Sequence, residues 1–423
     1  MKRLPLVLLC VGAAACAESS RLPEGADTGV QPVLAAPVET PIPTVKVAPA
    51  KGWPAGEKPV AAPGWSVEAL ATGLQHPRWL YVLPNGDVLV AETSAPERPE
   101  DGKGVKGFFM KQFMKRAGSA VPSANRISLL RGGVRHAFLE GLSSPFGMAL
   151  VGNDFYVANT DAVLRFPYRE GETSVAKVGE KVADLPGGPL NHHWTKNLLA
   201  SRDGRHLYVT VGSNSNIAEN GLDKEERRAA ILELDAKTGA TRVFASGLRN
   251  PNGLAYEPET GALWTVVNER DELGSDLVPD YLTSVRENGF YGWPWSYFGR
   301  HVDARVQPAR PDLVEKAIVP DYALGAHVAP LGLAFAHGGA FVGNHGSWNR
   351  RPPSGYNVVF VPFSGGRPQG KPQVVLSGFL DAHGKARGRP VGVAVDRSGA
   401  ILVADDVGNT VWRLTRGPAV AYR

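Results

Sequence analysis

Apolar residues along this chain fall in short paired runs. WLYVLPNGDVLVAET (79–93) sets two such runs on either side of a polar turn. The same figure recurs in GMALVGNDFYVANT (147–160), NLLASRDGRHLYVTVGS (197–213), GLAYEPETGALWTVVNE (253–269), GLAFAHGGAFVGNH (332–345) and GVAVDRSGAILVADD (392–406). Each turn holds Gly, Asn or Asp, which reach positive φ at little cost, as a tight hairpin requires. A related lead-in precedes most of the first strands: GLQHPR, GLSSPFG, GLRNPNG, VAPLG and GRPVG. The units lie 52 to 77 residues apart, measured from Val88, Tyr156, Tyr208, Trp264, Phe341 and Leu402. Six hairpin units without a long amphipathic helix predict an all-β six-bladed β-propeller. A solenoid of hairpins is the rival, and it would leave its sheet edges open.

The repeat carries geometry. Residues before the first strand and after the second of an antiparallel hairpin lie at the same end. If the pairs are inner strands, His193, Arg249, Asn250 and Arg389 share one mouth of the channel with Thr93, Asn268, Glu269, Asn344 and Asp405. The third unit breaks the lead-in pattern, reading NHHW where its siblings have GL-x-x-P. Departures from a local rule tend to mark functional sites. Adjacent side chains on extended backbone point opposite ways, so His192 and His193 are expected to do different jobs.

The ends bound the location. MKRLPLVLLCVGAAAC has a basic start and an apolar run too short to span a bilayer, as a signal peptide should. Its small residues before Cys16 resemble a bacterial lipoprotein signal, with Cys16 as the lipidated first residue; an ordinary signal peptidase site is the alternative. Either predicts export to the periplasm, with an outer-membrane lipid anchor in the first case. Cys10, the other cysteine, lies inside the signal, so no disulfide framework is expected. Residues 17–62, rich in Pro, Ala, Val and Glu, read as a disordered tether, and 63–418 as the propeller. Loss of Lys2 and Arg3 takes the net charge from +5 to +3, too little to argue for nucleic acid.

Five stretches then resemble the soluble quinoprotein glucose/sorbosone dehydrogenases, especially their L-sorbosone dehydrogenase-like branch. They are HHWTKNLLASRDGRHLYVTVGSNSN (192–216), GLRNPNGLAYEPETGALWTVVNERDELGSDLVPDYLT (247–283), GFYGWPWSYFG (289–299), FVGNHGSWNR (341–350) and GRPVGVAVDRSGAILVADDVGNTVWRL (388–414). The resemblance implies pyrroloquinoline quinone (PQQ) and calcium in a six-bladed propeller. It implies His193 as the general base and Arg249 over the reactive quinone carbonyl, with Asn250 and Asn252 as polar neighbours. Arg389, Arg387 and Arg350 would hold cofactor carboxylates, Arg350 replacing a lysine found in relatives. The calcium position falls on Glu269, Arg270 and Asp271, through main-chain carbonyls or side chains. Ser213 stands where glucose-oxidising relatives carry an aspartate that orients the histidine.

The chemistry suits these residue types. A planar tricarboxylate quinone calls for arginine forks, calcium for hard oxygen ligands, and hydride removal from an alcohol or aldehyde hydrate for a neutral histidine. The expected substrate is a sugar or sugar-derived aldehyde, and the expected electron acceptor a cytochrome or quinone. Two other readings stay open: a calcium-dependent lactonase, which needs inward carboxylates and amides, and a non-catalytic envelope propeller. Trp293, Trp295, Tyr297 and Trp348 read as packing or as cleft walls. A segment between the first two units leaves on the mouth side. There GFFMKQFMKRAG sets Phe109, Phe113 and Met114 at helical spacing among Lys111, Lys115 and Arg116. It predicts a short helix that covers surface, narrows the channel as a lid, or rests on a membrane or partner.

Overall fold

A computed structural model describes residues 18–40, 44–97, 112, 114–175 and 178–417. Six sheets, antiparallel but for a short parallel edge in the third, follow one another along the chain, and their innermost strands begin at Pro77, Met148, Leu198, Asn250, Pro330 and Pro390. Each predicted hairpin is the inner pair of a blade, as Pro77–Val82 with Val88–Glu92 or Pro390–Val395 with Ile401–Asp405. The last blade takes its outer strand from the start of the domain, where Trp65–Ala71 pairs with Thr410–Arg416. That strand closes the ring and excludes the solenoid.

The inner strands are continuously apolar because both faces of every blade are buried. Successive side chains leave opposite faces of a strand, so Leu89 packs toward the second blade while Val88 and Val90 pack toward the sixth. Six apolar clusters result, one at each junction between neighbouring blades, including the sixth with the first. Phe341 belongs to the junction of blades five and six, and its neighbours Ala340 and Val342 to that of four and five. Burial at about 25 cal/mol per Å² of apolar surface thus acts around a closed circle.

The segment expected as a disordered tether is instead a strap laid on the propeller. Thr28–Gly29 extends the fourth blade beside Leu324 and Ala323, and Val60–Ala61 extends the fifth beside Ser377 and Leu376. Between them Trp53 meets Phe379 and Trp412 edge-on at 5.6 and 5.5 Å and donates to the Asp405 carboxylate at 2.7 Å. Composition misled here because single apolar side chains fill separate niches, and the backbone satisfies itself on exposed sheet edges, so no periodicity is needed. Cys16, Phe109, Lys111 and Phe113 lie outside the described residues; residues 114–116 are helical.

Candidate active site

The loops at the mouth enclose a cavity of about 340 Å³. His192, His193, Arg249, Asn250, Glu269, Asp271 and Arg389 line it, and so do His76, Arg78, Met114, His327, His345, Trp348 and Asp406. The repeat explains the arrangement. The residue before the lead-in proline faces the cavity in four blades, as His76, Asn250, Ala329 and Arg389. The residue just after the second inner strand does so as Glu269, His345 and Asp406. The expected ring members Thr93, Asn344 and Asp405 are buried outside the cavity lining: Asn344 and Asp405 end their strands one residue short of the inward position, and in the first blade Ser94, one past Thr93, reaches the cavity. Asp405 is enclosed by the indoles of Trp53 and Trp412 and the amides of Arg389 and Gly408, and burial pushes its carboxyl up to about 6.

His193 is held from three sides. Its Nδ1 lies 2.8 Å from the Ser213 carbonyl oxygen and 3.1 Å from Ser213 Oγ. A carbonyl only accepts, so Nδ1 carries the proton and Nε2 is the basic nitrogen. Lys196, fully buried, donates to the carbonyl oxygens of Trp194 at 3.0 Å and His193 at 3.4 Å. Burial, reinforced by Arg228, lowers its ammonium well below the usual lysine range. Gly212 lies beneath: a Cβ there would sit 2.3 Å from Asn250 Oδ1 and 2.5 Å from the Cβ of His193. His192 does not turn away, because the backbone bends at 192–193, and its ring meets that of His193 at 4.7 Å.

Arg249 is already bonded. It donates to the carbonyl oxygens of Glu269 and Asn216, to Asn216 Oδ1 at 3.0 Å and to Asp271 Oδ2 at 2.8 Å. Asp271 also accepts from Asn349 at 2.7 Å. Its burial is outweighed by Arg249 and His327, which hold the carboxyl well below the usual range. Asp280 lies behind this pair, accepting from the amides of Glu269 and Ala329, and burial pushes it up to about 7. For His327, burial is overcome by Asp271 and Asp280, which raise it.

A second group faces it. Asp406 Oδ2 lies 2.6 Å from Arg78 Nη1, 2.9 Å from His345 Nε2 and 3.6 Å from His76 Nε2. Burial lowers His345 to about 4 and lowers His76 too, despite the opposing pull of Asp406. Arg389 donates to the Ala48 carbonyl oxygen at 3.2 Å and stacks over Tyr356 at 5.0 Å. Its Nε, Arg78 Nε, Asp406 Oδ1 and Asn250 Oδ1 are buried without a partner. Unpaired buried polar atoms around one cavity are what an absent polar ligand leaves.

Four expected site residues lie outside the cavity lining. Arg350 is tied to Ser275, Ser20, Asp276 and Pro352. Arg387 pairs with Glu57 and lies over Trp53. Asn252 is buried between Thr195 and Asn250. Arg270 is 3.2 Å from Asp303, drawn there because a fully buried guanidinium needs a carboxylate. The Glu269 carboxylate is taken by the amides of Arg270 and Phe298, leaving its carbonyl as the oxygen nearer Arg249. Of the tryptophans, Trp348 is a cavity wall; Trp293 and Trp295 pack, donating to the carbonyls of Asn216 and Pro308. Sequence reasoning passed over His76, Arg78, His327, His345 and Asp406. The first two were readable from their place in the lead-in GLQHPR, aligned with Asn250 and Asn252 of GLRNPNG.

The TrAA12-like family model matches residues 59–280 and 313–417. The chain is 28% identical over 299 residues to an uncharacterized protein of Borreliella burgdorferi, covering 66% of this chain and 77% of that one. It is 23% identical to a pyrroloquinoline quinone-dependent sugar dehydrogenase of Hypocrea jecorina, over 68% of this chain and 73% of that one. The solved PQQ domain of the Coprinopsis cinerea pyranose dehydrogenase, in its holo form, superposes with a TM-score of 0.69 at 20% identity, covering 88% of this chain and 100% of that one. The last likeness is one of fold.

Proposed function

The chain belongs to the TrAA12-like family, and from that premise we propose that it is a PQQ-dependent sugar dehydrogenase, exported and lipid-anchored in the periplasm through Cys16. The observation that carries the reading is the convergence of a base-ready His193 and three arginines, Arg78, Arg249 and Arg389, on one cavity. The substrate is an aldose or a sugar-derived aldehyde of the sorbosone kind.

The residues fit the quinone. Arg389 and Arg78 keep unpaired nitrogens beside the cavity, and Arg forks match the carboxylates of a flat tricarboxylate. Asn250 Oδ1 is a further unpaired polar atom there. When bound, the quinone would supply the hydride acceptor. For its part, His193 Nε2 takes the hydroxyl proton as hydride leaves, and the Ser213 carbonyl stabilises the imidazolium that forms. Arg249, fixed by Asp271 and Asn216, brings a preorganised positive charge to the same wall. Calcium would be held by hard oxygens on this side, the Glu269 carbonyl and the Asp271 carboxylate that now accept from Arg249, and would act as a Lewis acid.

A lactonase reading needs a cage of protein ligands. The cavity does hold inward Asp271, Asp406, Asn250 and Asn349, but Arg249, Asn349 and Arg78 already engage the two carboxylates. The arginines favour the quinone reading over it and over an inert propeller. The test is reconstitution of purified protein with PQQ and calcium, followed by dye reduction on adding sugars, sorbosone and simple aldehydes. Quinone uptake with turnover of at least one of these is expected. A protein that takes up no quinone overturns the reading.

A further inference from the structure

We infer that the mouth of the propeller faces the membrane to which the protein is anchored, so that the cavity opens toward the lipid surface. The inference rests on the proposed lipidation of Cys16, and the structure supplies the orientation. The first described residues are fastened to mouth loops. The Ser275 amide donates to the Glu18 carboxylate at 2.7 Å, and Ser275 Oγ to the Glu18 carbonyl at 3.3 Å. Ser20 donates through Oγ to Asp276 at 2.5 Å and through its amide to the Arg351 carbonyl at 2.7 Å. The amides of Arg21 and Leu22 also donate to Asp276.

Ser275 and Asp276 belong to the loop between Leu263–Asn268 and Pro279–Ser284, which also supplies Asp271 to the cavity. Arg351 belongs to the loop between Gly339–Asn344 and Asn357–Ser364, which supplies Trp348 and Asn349. Two residues of extended chain span at most roughly 7 Å. A lipid on Cys16 therefore enters the bilayer within that reach of Glu18. The hairpin turns lie at the other end of every blade, and no path of that length brings them to the same surface.

The course of the strap agrees. The strap continues over the mouth, where the Lys46 amide donates to the Trp348 carbonyl at 2.7 Å and the Ala50 amide to the Arg116 carbonyl at 2.9 Å. The occupant of this face is the phospholipid headgroup layer.

The test uses the mature full-length lipoprotein in vesicles of phosphatidylethanolamine and phosphatidylglycerol that include a headgroup-quencher lipid. The chain has no cysteine besides Cys10, in the signal, and Cys16, so single labels are clean. A fluorophore is placed at Lys46→Cys or Lys115→Cys on the mouth face, or at Lys237→Cys in the exposed turn between Ala230–Asp235 and Thr241–Ser246 at the far end. Quenching several-fold stronger at the first two positions is expected. Equal quenching at both ends, or stronger quenching at position 237, overturns the orientation. Mass spectrometry showing no lipid on Cys16 overturns it as well. Dye-linked sugar oxidation by the same samples tests the dehydrogenase reading separately.

Discussion

His193 Nδ1 and the main-chain oxygen of Ser213 stand 2.8 Å apart. A carbonyl thus orients the ring and leaves Nε2 as the unprotonated nitrogen. His193→Ala should retain quinone binding and lose turnover by roughly 10²–10⁴-fold. Ser213→Ala keeps the carbonyl and should lose far less. Steady-state rates with a dye acceptor check both, and a His192→Ala loss as large as that of His193→Ala would contradict the assignment.

Arg389 and Arg387 are near neighbours in sequence with different fates. Arg389→Ala should weaken quinone binding by about 1.5–3 kcal/mol, the worth of a hydrogen bond to a charged group. Arg387→Ala removes a pair with Glu57 away from the cavity and should leave affinity unchanged. Fluorescence titration with quinone separates the two variants.

The six blades were legible because both faces of every inner strand are buried, which writes the hairpins as apolar runs. The cavity-lining ends of the inner hairpins were legible to within one residue. Thr93, Asn344 and Asp405 occupy the last rung or the residue beside it, and the pleat turns them from the cavity while Asp406 and His345 enter it. Arg350 and Arg387 were misjudged because a cation's sequence position does not reveal which carboxylate or carbonyl it meets. For Arg350 those partners include Ser20 of the strap, and for Arg387 the strap carboxylate of Glu57. The strap was unreadable because the contacts that place it on the blades are long-range.

Stability should depend on His345 below neutrality. Burial lowers its folded value to about 4 from 6.5, so the unfolded chain binds the extra proton first as pH falls. The stabilisation is present above about 6.5 and is lost progressively down to about 4. A shift of that size corresponds to roughly 3 kcal/mol. Melting curves of wild type and His345→Gln between pH 7 and 4 should show a shallower decline in the variant. Parallel declines would mean that His345 protonates alike in both states.

Chelation should abolish dye-linked activity, and calcium should restore it. Asp271→Asn removes the carboxylate but leaves the Glu269 carbonyl, so it should raise the calcium concentration needed for half-activation. It also removes the carboxylate partner of Arg249, which keeps the oxygens of Glu269 and Asn216, so the stability loss should fall below the roughly 3–5 kcal/mol of a buried charge left unpaired. Thermal melting alongside calcium titration distinguishes the two effects. A variant with lower stability and an unchanged calcium requirement would remove Asp271 from the metal's surroundings.

Substrate size should respond to Met114. It lines the cavity together with Ala117, Gly118 and Ser119 of the insertion, and this short stretch is held by the strap through the bond from Ala50 to Arg116. The wall is thus built from two segments outside the blades, where change is tolerated more readily than in the sheets. Met114→Ala removes side-chain volume at that wall without touching His193 or the arginines. It should shift the ratio of kcat/KM for disaccharides over monosaccharides upward, by up to about tenfold for a few methylene-sized contacts. The rate on the best small substrate should change little. Packing alone predicts a different outcome, a lower melting temperature with the substrate ratio unchanged.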